Sequence, residues 1–291
     1  MHCARDYARM VRIMPSSLAS CFAGLAFCAA AAASEAPRRV VSFNLCADQL
    51  VVALADPAQI AGLSPYSTDP SLSVVAQAAR PYRRLDWQAE ATIMLQPDLV
   101  FVGPNDRSLT RRLLVAQGLR VEQTGFVTDL DSARKQIRDM AALLGHPERG
   151  ERLVASLEQA RARLHARKRL PFATALVVER GGYTQGPSSL AALLLSEAGL
   201  RPPADAPAGY GGFIALEKFL MLRPDLVFIK DPPATPEDQG SLFFMHPAMR
   251  ALYPKQQRIA LPTRYTMCGG PALIEALDYV AASLAALAPS R

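Results

Sequence analysis

Cysteine, histidine and tyrosine are the residues of this chain whose chemistry could define a site, and their spacing separates three possibilities. Of five cysteines, Cys3, Cys21 and Cys28 fall within the first 33 residues, leaving Cys46 and Cys268. Two cysteines so far apart make no disulfide framework. They can pair, stay free or touch a ligand. Each stands just before a predicted helix, a position that favours the thiolate and hence reactivity or metal binding, and the alternative is a small buried residue. Histidine is scarce, with His146, His165 and His246 beyond the first 33 residues. A free metal ion needs clustered imidazoles and carboxylates at fixed geometry, which this spacing does not supply. Nucleophilic catalysis has no better footing: there is no Gly-x-Ser-x-Gly, no glycine-rich phosphate loop and no histidine beside a candidate nucleophile. Gly209-Tyr-Gly-Gly212 precedes no fitting helix and reads as a flexible loop. Tyrosine remains. Tyr66, Tyr183, Tyr210 and Tyr265 all follow predicted strands, and a flat ring with a polar tip suits a large planar ligand. For any single tyrosine the alternative is surface packing.

The elements that must position these residues are announced by a repeat. Residues 90–101 read EATIMLQPDLVF and residues 217–228 read EKFLMLRPDLVF, eight of twelve positions identical without a gap at an offset of 127. Each copy predicts a short helix with Met94-Leu95 or Met221-Leu222 on its inner face. Pro97 or Pro224 stops the helix, and a buried strand follows. Around the copies, strands alternate with helices. The first half gives strands at Arg39–Phe43, Ile60–Leu63 and Leu119–Val121, with helices at Asp48–Leu54 and Ser108–Gln117. The second gives strands at Ala173–Glu179 and Arg258–Leu261, with helices at Ser188–Ala198 and Pro271–Leu287. This pattern implies two α/β lobes of Rossmann-like build with parallel sheets. Between them Asp131–Leu144 is one helix and Pro147–Arg169 a second. Leu153, Leu157, Ala160 and Leu164 share one face of the second. At about 33 Å it is long enough to cross from one lobe to the other as a single rod.

The first 33 residues read as a secretory signal, with Arg5, Arg9 and Arg12 ahead of an apolar run from Leu18 to Ala33 that ends in Ala31-Ala32-Ala33. A hydrophobic first helix is the alternative. Leu18-Ala19-Ser20-Cys21 resembles a lipoprotein box, although most of the apolar run follows the cysteine instead of preceding it. The expected organisation is a signal at 1–33, a first lobe at 38–129, linker helices at 130–169 and a second lobe at 170–291. The net charge of +6 falls to about +4 once the signal is set aside. The basic residues are mixed with acids and make no stripe with interleaved aromatics, so nucleic acid is not an expected partner.

Three stretches, Arg39-Val-Val-Ser-Phe-Asn-Leu-Cys-Ala-Asp-Gln-Leu, Ser64-Pro-Tyr-Ser-Thr-Asp-Pro and Gly182-Tyr-Thr-Gln-Gly-Pro-Ser-Ser, together with the repeat and the long middle helix, resemble the class III periplasmic binding proteins. The cobalamin and ferric-siderophore binders are that family's type members. The resemblance implies a monomeric periplasmic protein without enzymatic activity, cofactor or bound metal of its own. It would capture a metal chelate between its lobes and hand it to an ABC permease and its ATPase subunits, touching the membrane through that permease alone. The cleft would be lined by loops at the carboxyl ends of the strands, as is general for open α/β sheets. Those loops hold Asn44, Cys46, Asp48, Tyr66, Asn105, Tyr183, Tyr210, Tyr265 and Cys268. Tyr66 and Tyr183 match family contact positions. The cobalamin binders line their cleft with several tryptophans, whereas Trp87 is the single one here. Glu90 and Glu217 match the paired surface glutamates with which the family docks onto permease arginines; the alternative is a first-turn acid on a helix dipole. A free metal-ion binder and a two-lobed α/β enzyme acting on a tetrapyrrole-like substrate are the rival readings.

Overall fold

The computed structural model describes residues 36–104, 108–168, 170–231 and 242–287. The signal-like segment and Asn105 lie outside them. The first lobe is built on β1 (Val40–Ser42), β2 (Ile60–Gly62), β3 (Leu99–Val102) and β4 (Val121–Gln123), all parallel in the order β2-β1-β3-β4. β1 and β3 are buried along their whole length because helices cover both faces. Four helices accompany them: α1 (Leu45–Leu54), α2 (Ala76–Ala79), α3 (Ala89–Ile93) and α4 (Ser108–Ala116). The middle of the chain is α5 (Leu130–Leu143) and α6 (Pro147–Ala166).

The second lobe contains β5 (Ala175–Val178), β6 (Tyr183–Gln185), α7 (Leu190–Glu197), β7 (Gly211–Phe213), α8 (Leu216–Leu222) and β8 (Leu226–Lys230). It closes with α9 (Leu242–Met245), α10 (Pro247–Leu252), β9 (Arg258–Leu261) and α11 (Pro271–Ala285). Its sheet runs β7-β6-β5-β8-β9. β5, β8 and β9 are parallel and occupy the places of β1, β3 and β4, but β6 and β7 are antiparallel. The expected all-parallel sheet therefore gains an antiparallel edge. The segment read as a flexible glycine loop is part of it, since Gly211-Gly212 pair with Gln185 and Thr184. Gly211 has φ 126°, and a Cβ there would stand 2.3 Å from the Thr184 carbonyl oxygen, so glycine is required by close backbone approach.

The repeat is a single structural device used twice. Asp98 accepts hydrogen bonds from the backbone N–H groups of Arg38 (2.6 Å) and Arg39 (3.0 Å), just ahead of β1. Asp225 accepts from Ala173 and Thr174 N–H (2.8 Å each), just ahead of β5. Asp98 thus ties β1 to β3, and Asp225 ties β5 to β8. The helix stop differs from expectation. Gln96 (φ 47°) and Arg223 (φ 43°), the residues before the prolines, adopt the left-handed conformation at matched positions. Proline excludes its predecessor from the right-handed helix, and here the chain turns left-handed. The inner face is also corrected. Met94 and Met221 are 83% and 72% exposed, while the matched positions Thr92 and Phe219 are fully buried.

α6 packs against α5, α7 and α11. Its 20 residues span about 30 Å, and Val154, Leu157, Ala160 and Leu164 are its buried face. Ion pairs flank it: Arg138 with Glu151, Arg161 with Glu197, and Arg163 with Asp278. One continuous apolar cluster runs from Val40 and Leu50 through α5 and α6 to Phe228 and α11. The lobes share this core. Among the described residues no helix is long and apolar enough to cross a membrane.

Candidate functional site

At the carboxyl end of β1, Asn44 caps α1: its Oδ1 accepts from the N–H groups of Cys46 (2.9 Å) and Ala47 (3.1 Å). The helix therefore starts at Leu45, three residues before the expected Asp48. That shift corrects the reading of Asp48 as a ligand contact. It lies in the first turn, wholly buried, and accepts from the Ser64 hydroxyl (2.5 Å) and Ser64 N–H (3.1 Å). Its task is to pin the loop after β2. In that loop the Ser64 carbonyl accepts from the Ser67 hydroxyl at 2.8 Å. The Ser71 hydroxyl and N–H hold the Asp69 carboxyl below its usual pKa. On the braced loop Tyr66 is 47% exposed. Its ring meets Trp87 at 5.5 Å, and Trp87 stacks on Phe43 at 6.3 Å. Trp87 was not among the predicted contacts. Its position just ahead of the first repeat copy was the available signal.

In the second lobe Tyr183 opens β6 and sets its ring edge-on to Phe213 of β7 at 5.2 Å. Its hydroxyl donates to the Tyr210 carbonyl at 3.4 Å. Tyr210 and Phe213 are 61% and 74% exposed. Sequence reasoning missed Phe213 because the start of the strand that presents it was read as a loop. Beside these rings is a depression of about 390 Å³ lined by Glu179, Arg180, Tyr183, Phe213, Lys230 and Asp231. Lys230 Nζ donates to Glu179 at 2.9 Å, and Asp231 accepts from Thr263 N–H at 2.9 Å. Tyr265 belongs to neither group, which corrects its assignment. A short 3-10 turn at Thr263–Tyr265 folds it into the core, buried against Tyr279 at 4.9 Å with the Arg264 guanidinium over its ring.

Cys46 and Cys268 form a disulfide across 222 residues, with Cα atoms 5.1 Å apart. Of the three fates open in the sequence, pairing is the one realised, and the reading of either as a free thiolate or metal ligand is corrected. Cys46 follows β1 and Cys268 follows β9, so the bond draws the carboxyl ends of the two sheets together. The glycines after Cys268 extend this contact. A Cβ on Gly269 would stand 2.9 Å from Val127, and one on Gly270 2.7 Å from Leu50. The side chains of Glu90 and Glu217 are exposed, one on each lobe, with no side-chain hydrogen bond or ion pair among the described residues. No group of three or more His, Cys, Asp or Glu able to hold a metal ion exists among the described residues.

The family described as periplasmic binding protein matches residues 40–245. The chain belongs to the periplasmic binding proteins. Its two α/β lobes and single long connecting helix are the arrangement that the class III resemblance implied. Solved periplasmic binding proteins share the fold. A periplasmic heme binding protein from Pseudomonas aeruginosa aligns at TM-score 0.69 and 22% identity over 87% of this chain and 94% of its own. An ABC-type Fe3+-hydroxamate transport system protein from Saccharomonospora viridis gives 0.63 and 22% over 86% and 93%. The periplasmic vitamin B12 binding protein of Vibrio cholerae gives 0.62 and 16% over 86% and 98%. No curated protein matches the chain in sequence.

Proposed function

We propose that this periplasmic binding protein captures a bulky metal chelate, of the cobalamin, siderophore or haem class, between its lobes and delivers it to an ABC importer as an exported monomer. The observation that carries the reading is the pair of aromatic ledges at the carboxyl ends of the strands: Phe43–Trp87–Tyr66 in one lobe and Tyr183–Phe213 with Tyr210 in the other. Rings of this kind offer large apolar faces with polar edges, which suits a planar or macrocyclic ligand better than a bare ion. Tyr66, Trp87, Tyr183, Tyr210 and Phe213 are the proposed contacts. Asn44 and the Cys46–Cys268 bond hold the start of α1 and the loop after β9, next to the first of these ledges.

Glu90 and Glu217 are the proposed docking residues toward the permease. Exposed carboxylates contribute little to stability but set orientation and encounter rate against cations on a partner. The test of the binding reading is spectroscopic. Purified protein is titrated with hemin, cyanocobalamin and ferrichrome while chelate absorbance and Trp87 fluorescence are followed. Saturable one-to-one quenching by one chelate is expected. Tight binding of bare Zn²⁺ or Mn²⁺ with no response to any chelate would overturn it.

A further inference from the structure

Six of the eight identities shared by the two repeat copies have a structural task. Leu99-Val100-Phe101 and Leu226-Val227-Phe228 are the buried strands. Asp98 and Asp225 tie those strands to the first strand of each lobe. Pro97 and Pro224 are buried behind the left-handed turn, and Leu95 and Leu222 pack partly buried against their lobe's core. The other two identities have no such task. Glu90 and Glu217 are exposed without a side-chain partner among the described residues, and Met94 and Met221 are 83% and 72% exposed. Each methionine stands four positions after its glutamate, so the two side chains are neighbours on one turn. A single exposed apolar side chain needs no explanation. The same thioether bared beside the same carboxylate in both lobes is not accounted for by packing.

We propose that Met94 and Met221 are a matched pair of apolar anchors for a two-fold-related membrane partner, each seated in an apolar socket of one permease subunit beside the cation that meets the neighbouring glutamate. This rests on the docking reading above and adds what fills the centre of each contact. An apolar anchor with a charged neighbour is the usual anatomy of an interface hot spot. Methionine, unbranched and polarisable, adapts to a socket not shaped in advance for it. A matched pair calls for a partner that is itself duplicated. A second copy of this chain does not fit, because it would set carboxylate against carboxylate at both points.

The test uses the full protein and its permease–ATPase complex in nanodiscs, with affinity read by fluorescence anisotropy of the labelled binding protein. Met94→Ser and Met221→Ser should each weaken binding about tenfold, and by similar factors, with the double variant weaker still. Met94→Leu/Met221→Leu should bind nearly as wild type, and melting temperature and hemin titration should be unchanged throughout. Wild-type affinity in the double serine variant, alongside loss in Glu90→Gln/Glu217→Gln, overturns the anchors and leaves the docking reading standing. Wild-type affinity in both double variants overturns the two together. Equal loss with leucine and serine, or an effect confined to one lobe, overturns the paired apolar anchor.

Discussion

Removing the disulfide should lower stability by an amount that its position in the chain sets. The bond closes a loop across 222 residues. Closing a loop of that length in the unfolded chain costs an entropy equivalent to about 5 kcal/mol at 25 °C. Residual structure in the unfolded state trims this, so about 3–5 kcal/mol is expected for the double variant Cys46→Ser/Cys268→Ala. Alanine is chosen at 268 because that side chain is buried. Urea unfolding followed by circular dichroism reads the change as a shift in midpoint. With a slope near 3 kcal/mol per molar, the midpoint should fall by about 1 M or more, and dithiothreitol should move the native protein by a similar amount. A double variant whose midpoint coincides with that of the oxidised protein refutes the reasoning, because the two lobes would then be held together by their shared core alone.

Truncating Tyr66 or Tyr183 to alanine should cost roughly 1–3 kcal/mol of chelate binding with the melting temperature nearly unchanged; unchanged affinity in both variants would move the site elsewhere. Asp225 gives a pH dependence. Burial pushes its carboxyl up, but the N–H groups of Ala173 and Thr174 and the Thr174 hydroxyl outweigh this and hold the pKa below the ordinary value. A depressed folded-state pKa stabilises above the unfolded value near 3.9, and that contribution is lost as pH falls through the folded one. Asp225→Asn should therefore be less stable at pH 7 and show a shallower loss of stability on acidification from about pH 5; parallel curves would refute this. Small-angle scattering of free and chelate-bound protein should differ little, since α6 and the disulfide join the lobes at two points. A marked compaction on binding would contradict this.

The two-lobed plan was legible because it rests on long-range self-similarity and on continuous apolar runs such as Leu99–Phe101 and Leu226–Phe228, whose burial on both faces leaves little choice of element. What escaped was decided by tertiary partners. β6 is three residues followed by Gly186-Pro187, and its antiparallel partner β7 lies beyond α7, so neither strand carries a local signal. Met94 and Met221 read as inner-face residues because apolar side chains usually are, but burial fell to Thr92 and Phe219. Within the site, Tyr66 and Tyr183 were identifiable as aromatic residues following strands. Asp48 and Tyr265 were drawn in because they too follow strands, although one is turned inward by a helix that begins three residues earlier and the other by a 3-10 turn. The fate of the cysteines depends on a distance of 5.1 Å that no spacing encodes.

The position of that disulfide also constrains the order in which the molecule is made. Synthesis runs from the amino end, so the four strands of the first lobe are complete long before Cys268 exists. Until the last loop arrives, Cys46 is a reduced thiol at a helix start, and the groove later filled by Gly269 and Gly270 stands open over Val127 and Leu50. Until then the first lobe is without its covalent tie to the second. Oxidation then serves as a final inspection: a chain that ends early, or whose second lobe docks wrongly, never acquires the bond.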